Sequence, residues 1–172
     1  MADPSSAVWA TPDIVKASIT GLALIVAVVS ILNAKAIAKK KQTADLLFHI
    51  RTDDLYINSV RTVLGLHNSE ANIRLWATEE SKQDTDTVEK VQHIRYVLNH
   101  YERLSVGLQE GIYHEGMLKK SQFGTITKTY DCAKPFIEGI RERTKSDTAY
   151  QEFEWLAKRW EKSPLRKKKK KG

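Results

Sequence analysis

An uninterrupted apolar run near the start of the chain is the feature that most limits its fold. Residues 17–34 carry no charged side chain, and a helix of this length spans about 27 Å at a rise of about 1.5 Å per residue. The hydrocarbon core of a bilayer is similar, about 30 Å thick. The run can be lengthened past Lys16 and Lys35, because their long side chains can reach the headgroups. The pattern predicts a transmembrane helix over residues 12–38.

Two other interpretations compete with a membrane span. The run could be the core helix of a soluble domain, although residues 22–32 are apolar on all sides apart from Ser30. It could also be a cleaved signal peptide, because Ala34 and Ala36 stand at a cleavage-like spacing. Residues 1–15 carry no basic side chain, however, and lysines follow the run as they follow a stop-transfer segment. These two observations favour the membrane span.

The lysines after the run predict an orientation. Lys39, Lys40 and Lys41 follow it closely, whereas Lys16 alone precedes it. Because positive loops tend to stay inside, we expect the N-terminus outside and the rest of the chain in the cytoplasm. The single cysteine suits a reducing compartment. The expected location is the bacterial inner (plasma) membrane, in a single-pass topology.

Small residues recur at steps of three or four along the run and therefore share one helical face. Such a face allows two helices to approach closely in a membrane, although alanine is common in any span. We expect it to support self-association or packing against a partner span. The predicted packing face consists of Ala17, Thr20, Ala23, Ala27, Ser30 and Ala34.

The net charge of +7 is concentrated in two short blocks, with a nearly neutral stretch between them. The second block, residues 166–171, could attract anionic lipid, bind nucleic acid without sequence preference, or only aid solubility. An anchored protein already lies beside an anionic leaflet, so lipid is the expected partner and nucleic acid is not. The residues predicted to face lipid are Lys39, Lys40, Lys41, Arg166, Lys167, Lys168, Lys169, Lys170 and Lys171.

The rest of the chain shows helical rather than strand-like spacing of apolar residues. Helices are expected over residues 43–66, 69–79, 87–109, 115–143 and from Ser146 or Asp147 to Lys162. Asp53 and Asp54 could break the first and cap a new helix, Thr85 or Asp86 could cap the third, and Pro135 should kink or split the fourth. Gly111 is expected to end the third helix. The first of these helices could continue directly from the span.

The predicted fold is all-α, with one N-terminal transmembrane helix followed by a cytoplasmic antiparallel helical bundle. Its expected parts are a short extracytoplasmic tail (residues 1–11), the transmembrane helix (12–38), the cytoplasmic domain (39–163) and a disordered basic tail (164–172).

A search for catalytic residues finds no strong motif. Two carboxylate–histidine pairs, Glu89 with His93 and Glu110 with His114, are spaced by four rather than by the three of di-iron bundles. Cys132 is read as a buried helix residue rather than an activated thiol, and Asp53-Asp54 as a cap rather than an acid–base pair. Glu102 and Arg141 could form an ion pair between helices. We therefore expect neither enzymatic activity, cofactor nor metal.

The order of these features resembles an uncharacterised bacterial family, a domain of unknown function found also in phage-related genomes. The stretches that carry the resemblance are residues 22–41, 98–113 and 136–160. It implies a single-span, membrane-anchored helical protein and supplies no catalytic residues.

The sequence thus favours a non-enzymatic interaction, regulatory or scaffold module at the inner face of the membrane, which binds itself or a membrane protein partner. Two alternatives are an oligomeric effector that perturbs the bilayer, for example in phage defence, and a metal-dependent helical enzyme.

Overall fold

The computed structural model describes residues 10–69, 71–78 and 84–166. These residues form six α-helices and contain no strand. The helices are α1 (Ala10–Thr52), α2 (Asp54–Gly65), α3 (Ile73–Thr78), α4 (Thr85–Gln109), α5 (Glu115–Thr144) and α6 (Gln151–Glu161), with a 3₁₀ turn at Leu66–Asn68. The all-α prediction is confirmed. Most of the two predicted tails, residues 1–11 and 164–172, lies outside the described residues.

The contacts within the chain divide it into two units, with the boundary between Lys39 and Lys40. The described part of the first unit is the apolar portion of α1. It is the one described helix that is long and apolar enough to cross a membrane, judged by length and composition. The large apolar side chains from Ile14 to Ile37 are 48–67% exposed. The first unit therefore has no core of its own among these residues.

The second unit has a core built from aromatic and aliphatic side chains of α2, α4, α5 and α6. Tyr101 stacks on Phe153 with ring centroids 5.0 Å apart, and Tyr130 meets the same ring edge-on at 5.5 Å. Trp160 and Phe136 are completely buried. The end of α1 also belongs to this unit, since Ile50 is buried and the Thr43 hydroxyl accepts the His114 backbone N–H at 2.8 Å.

Several element boundaries follow from local hydrogen bonds. Asp53 accepts the N–H of Tyr56 at 3.0 Å and caps α2, which confirms the expected break between the first two helices. Gly111, at φ 68°, follows the end of α4 as predicted. The cap of α4 is Asp84, which accepts the Thr87 N–H at 2.7 Å. The expected caps Thr85 and Asp86 are therefore wrong, because both lie inside the helix.

Of the two outcomes predicted for Pro135, a kink or a split, the split is wrong, because α5 runs unbroken through the proline to Thr144. Pro135 cannot donate to the carbonyl of Asp131, but Asp131 is exposed, so water can satisfy that oxygen. The helix is held on both sides of the proline by buried Ala133, Phe136 and Ile137. Packing thus outweighs the local preference for a break.

The predicted start of α6 at Ser146 or Asp147 is also wrong, since α6 begins at Gln151. Lys145 and Tyr150 adopt left-handed backbone conformations, at φ 52° and 57°, and these interrupt helical winding on both sides of the turn. The Arg141 Nε donates to the Ala149 carbonyl at 3.0 Å and holds the turn against α5.

Helices α5 and α6 run in opposite directions. Glu115, at the start of α5, contacts Arg159 near the end of α6, whereas Arg141, near the end of α5, contacts Glu154. Helix α3 packs closely against the last third of α5 at Gly139, where a Cβ atom would lie 2.6 Å from the Arg74 carbonyl oxygen. This glycine allows the two backbones to approach.

Candidate functional site

The six small residues predicted to form a packing face are all exposed on α1. Their two hydroxyl groups bond to the helix itself, Thr20 to the Lys16 carbonyl at 2.9 Å and Ser30 to the Val26 carbonyl at 2.8 Å. Polar groups in a lipid environment must be satisfied in this way, because hydrocarbon offers no partner. The face is thus available, and the association that it predicts stays a prediction.

The predicted basic blocks are only partly described. Lys39, Lys40 and Lys41 are exposed on α1, and Arg166 is exposed at the end of the described chain. Residues 167–171 lie outside the described residues. Lys40 lines a cavity of about 590 Å³ together with His114 and Lys120 from the start of α5. The fold therefore brings Lys120, a cation of α5, close to the first block.

A groove between α5 and α6 gathers charged residues that the sequence analysis did not single out. It has a volume of about 580 Å³ and is lined by Glu115, Lys119, Trp155, Lys158, Arg159, Lys162 and Ser163. The signal for it was present in α6, where residues 155, 158, 159 and 162 share one face at helical spacing. That face is opposite to the buried one, which the apolar pattern identified.

One ion pair organises this groove. The Arg159 guanidinium donates to both carboxylate oxygens of Glu115, at 3.0 and 3.1 Å, and the Trp160 indole donates to the same carboxylate at 3.1 Å. These hydrogen bonds, led by that of Arg159, lower the pKa of Glu115. Arg159 also lies over the ring of Trp155, 5.4 Å from its centroid. Lys119 donates to the Ser163 carbonyl across the groove.

A second polar cluster joins α2 to α4. The Tyr56 and Tyr101 hydroxyls lie 2.7 Å apart, and the Tyr96 hydroxyl donates to Asp53 at 2.8 Å. His100 packs on Tyr56 with ring centroids 4.8 Å apart, and burial lowers its pKa to about 4. The imidazole is therefore neutral at physiological pH. These are structural contacts that fix the register of α2 against α4.

The residues considered for metal binding are not brought together. A hydrogen bond of 2.8 Å joins the His93 Nδ1 to the Ser59 Oγ, and the His93 Nε2 lies 3.9 Å from the Glu89 Oε1. His114 caps α5 by accepting the Met117 N–H at 3.2 Å. Within the described ranges, no group of three or more His, Cys, Asp or Glu side chains is placed to hold a metal ion.

Cys132 lies beside a cavity of about 350 Å³, lined also by Leu64, His67, Lys128 and Asp131. The residue is 7% exposed, and burial raises the pKa of its thiol. A raised pKa keeps the sulfur protonated, so the residue behaves as a small apolar group.

Glu102 and Arg141 contact the start of α6 rather than pairing mainly with each other. The Glu102 carboxylate accepts the backbone N–H groups of Glu152 and Phe153, at 3.3 and 2.8 Å. Arg141 instead pairs with Glu154 at 2.7 Å. The N-cap residue Tyr150 makes no side-chain capping bond, so a carboxylate from α4 supplies the cap of α6.

A comparison with known proteins gives one family. No curated protein and no solved structure gives a significant match to the chain. A family model described as "Domain of unknown function (DUF4760)" matches residues 17–160. The match covers the apolar part of α1 and most of the second unit, and it includes the groove as far as Trp160. The chain belongs to the family of the domain of unknown function DUF4760.

Proposed function

We propose that this protein is a membrane-anchored, non-enzymatic helical protein whose cytoplasmic domain acts as an interaction, regulatory or scaffold module at the inner face of the bacterial membrane. The observation that carries the proposal is the exposed apolar surface of α1. Its large apolar side chains from Ile14 to Ile37 are at least 48% exposed. Transfer to hydrocarbon contributes about 25 cal/mol per Å² of apolar surface, so a bilayer would stabilise this helix strongly.

The second unit supports the assignment of an interaction role. Its core is contained within residues 46–160, and several of its charged surface groups form ion pairs between helices. Such an arrangement gives a stable helical body next to the lysine block. The exposed side chains of Phe48, Leu55 and Ile112 add apolar contact area of the kind that partners bury.

Membrane fractionation tests the anchor. We expect the full chain to stay in the pellet after a carbonate wash, and a variant lacking residues 17–34 to be released. Intact mass measurement of the pelleted protein tests the signal-peptide interpretation, which predicts a shorter chain beginning after residue 36. Release of the full-length chain into the soluble fraction would contradict the proposal.

Protease protection tests the orientation. We expect protease added to spheroplasts to leave the second unit intact, and protease added to inverted vesicles to degrade it. The basic residues after α1's apolar portion are the reason, because they favour the cytoplasmic side. Digestion of the second unit in spheroplasts would indicate the opposite topology.

A second candidate function, an oligomeric effector that perturbs the bilayer, is favoured by the small-residue face of α1. In this case Ala23→Leu with Ala27→Leu should abolish growth arrest and dye leakage, because bulky side chains prevent close approach of helices. The matched control is Ile25→Leu with Val29→Leu, which changes the opposite face. Expression of the unmodified chain without growth arrest or leakage would argue against this function.

A further inference from the structure

Among the side chains that line the groove between α5 and α6, cations outnumber carboxylates. Glu115 is the one carboxylate among the described residues that line it, and Arg159 neutralises that group. Lys158 pairs with Glu154, which also serves Arg141. Lys119 donates to a neutral carbonyl group and lies 5.8 Å from the centroid of the Phe123 ring, and no carboxylate in the described part of the chain forms an ion pair with it. Lys162, exposed just after α6, adds another positive charge.

A second basic cavity lies on the other side of the first turns of α5. Gly116 and Lys120 line it, whereas the neighbouring residues Glu115 and Lys119 line the groove. Lys40, from the lysine block after the apolar run, lines the second cavity. Two basic segments that are distant in sequence therefore meet at the start of α5.

Trp155 gives the groove an apolar rim. Its side chain is 37% exposed and lies beside the Arg159 guanidinium. An indole next to cations suits the boundary between headgroups and acyl chains, where tryptophan is enriched in membrane proteins. A groove for a free anion has no need of an exposed aromatic ring.

We propose that the groove between α5 and α6 binds the phosphate of an anionic lipid headgroup through Lys119 and Lys162, with Trp155 against the glycerol and the first acyl carbons. The occupant is a lipid because an exposed indole lies beside the cations of the groove, which matches a ligand that joins an anionic headgroup to acyl chains. This inference rests on the proposed membrane anchoring, and it adds a lipid site in the second unit itself.

Lipid binding by the detergent-solubilised full chain tests the site. Native mass spectrometry measures retention of short-chain phosphatidylglycerol and of phosphatidylcholine at equal concentration. We expect phosphatidylglycerol to bind at least about ten-fold more tightly. Because a lysine near an anionic surface contributes about five-fold in affinity, Lys119→Gln with Lys162→Gln should weaken binding by about 30-fold. Trp155→Ser should weaken binding of both lipids.

Matched variants separate the groove from charge in general. Arg61→Gln with Lys134→Gln removes two exposed cations elsewhere in the second unit and should leave the affinity within about two-fold. Lys162→Glu changes an exposed side chain, so it tests the site even if the double variant fails to fold. A chain ending at Leu165 tests the basic tail and should retain the preference for phosphatidylglycerol.

Four results would overturn the inference. The first is unchanged binding by both Lys119→Gln with Lys162→Gln and Lys162→Glu, and the second is an equal loss in the control pair. The third is loss of the preference on removal of the tail alone. The fourth is competition by inorganic phosphate or a short oligonucleotide as strong as by phosphatidylglycerol, because the ligand would then be a free anion or nucleic acid. Carbonate extraction tests the anchor separately, since binding in detergent does not depend on whether α1 spans a bilayer.

Discussion

Two carboxylates that contact the start of α6 have opposite effects on the stability of the fold as the pH changes. Glu154 lies between Arg141 and Lys158, and hydrogen bonds from these cations lower its pKa to about 2. Glu102 caps the same helix from α4, but burial is the larger influence and raises its pKa. The stability contributed by Glu154 is thus present above its unfolded pKa of 4.5 and lost towards pH 2. The raised pKa of Glu102 means that the folded state keeps the carboxyl proton to a higher pH than the unfolded chain does. Ionisation of Glu102 therefore lowers the stability as the pH rises above 4.5.

Glu154→Gln should lower the stability of the second unit by about 1–2 kcal/mol at pH 7, because it leaves the half-buried Arg141 without its charged partner. The difference from the unmodified chain should shrink as the pH falls from 5 to 2, since Glu154 itself becomes protonated there. Thermal unfolding followed by circular dichroism in a mild detergent measures both effects. Glu161→Gln, an exposed change on the same helix, is the control, and an equal pH dependence in the control would contradict the assignment.

Glu102→Ala should destabilise the second unit by about 1–3 kcal/mol, because two backbone N–H groups at the start of α6 lose their acceptor. Glu102→Gln keeps an acceptor oxygen and should lose less. It should also remove the decrease in stability that ionisation of Glu102 causes as the pH rises above 4.5. Unfolding midpoints between pH 4 and 8 distinguish the two variants. Equal losses in Ala and Gln would contradict this prediction, because the acceptor oxygen that Gln keeps would then contribute nothing to the cap.

At the scale of the elements, the spacing of apolar residues predicted the helices of the second unit well. It did so where a helix has both an apolar face and a local signal for its end. Helix α5 begins at Glu115 as expected and α4 ends before Gly111 as expected. The errors at Pro135 and at the start of α6 have a common cause, which is that contacts distant in sequence override local signals. Packing on both sides of Pro135 keeps α5 intact, and the Glu102 cap from α4 replaces the predicted local cap of α6.

The functional site was harder to predict than the helices. A groove between two helices depends on which faces meet, and the pattern of apolar residues gives the buried face only. Lys119 and Lys162 are 43 positions apart in the sequence, and no local motif joins them. Lys119 and Lys162 come close because α5 and α6 pack antiparallel. The ion pair between Glu115 and Arg159 joins the two helices at this end.

Two glycines of α5 should respond oppositely to the same substitution. Gly139→Ala should destabilise the second unit by about 1–3 kcal/mol, because the new Cβ would meet the Arg74 carbonyl and the Ala77 side chain of α3. Gly124→Ala is the matched control. A Cβ there meets nothing within 4 Å, so the better helix propensity of alanine should stabilise by up to about 1 kcal/mol. Thermal unfolding of both variants measures the difference, and a loss of stability at Gly124 would contradict the packing.

At the scale of the whole molecule, the boundary after Lys39 predicts which truncations fold. A chain of residues 40–172 retains the buried side chains of Thr43 and Ile50 and should unfold cooperatively. A chain of residues 54–172 loses both, together with the acceptor for the His114 N–H, and should be less stable by about 2–4 kcal/mol. Urea unfolding compares the two chains. Equal midpoints would show that the end of α1 does not belong to this unit.

The burial of Cys132 has a practical consequence for the study of this protein. The chain has one cysteine, which is 7% exposed and has a protonated sulfur. Maleimide labelling requires an accessible thiolate, so we expect the native background to label slowly. A cysteine introduced at an exposed position can thus carry a fluorophore or spin label without prior removal of Cys132. The slow labelling of Cys132 then reports how often the contact between α2 and α5 opens.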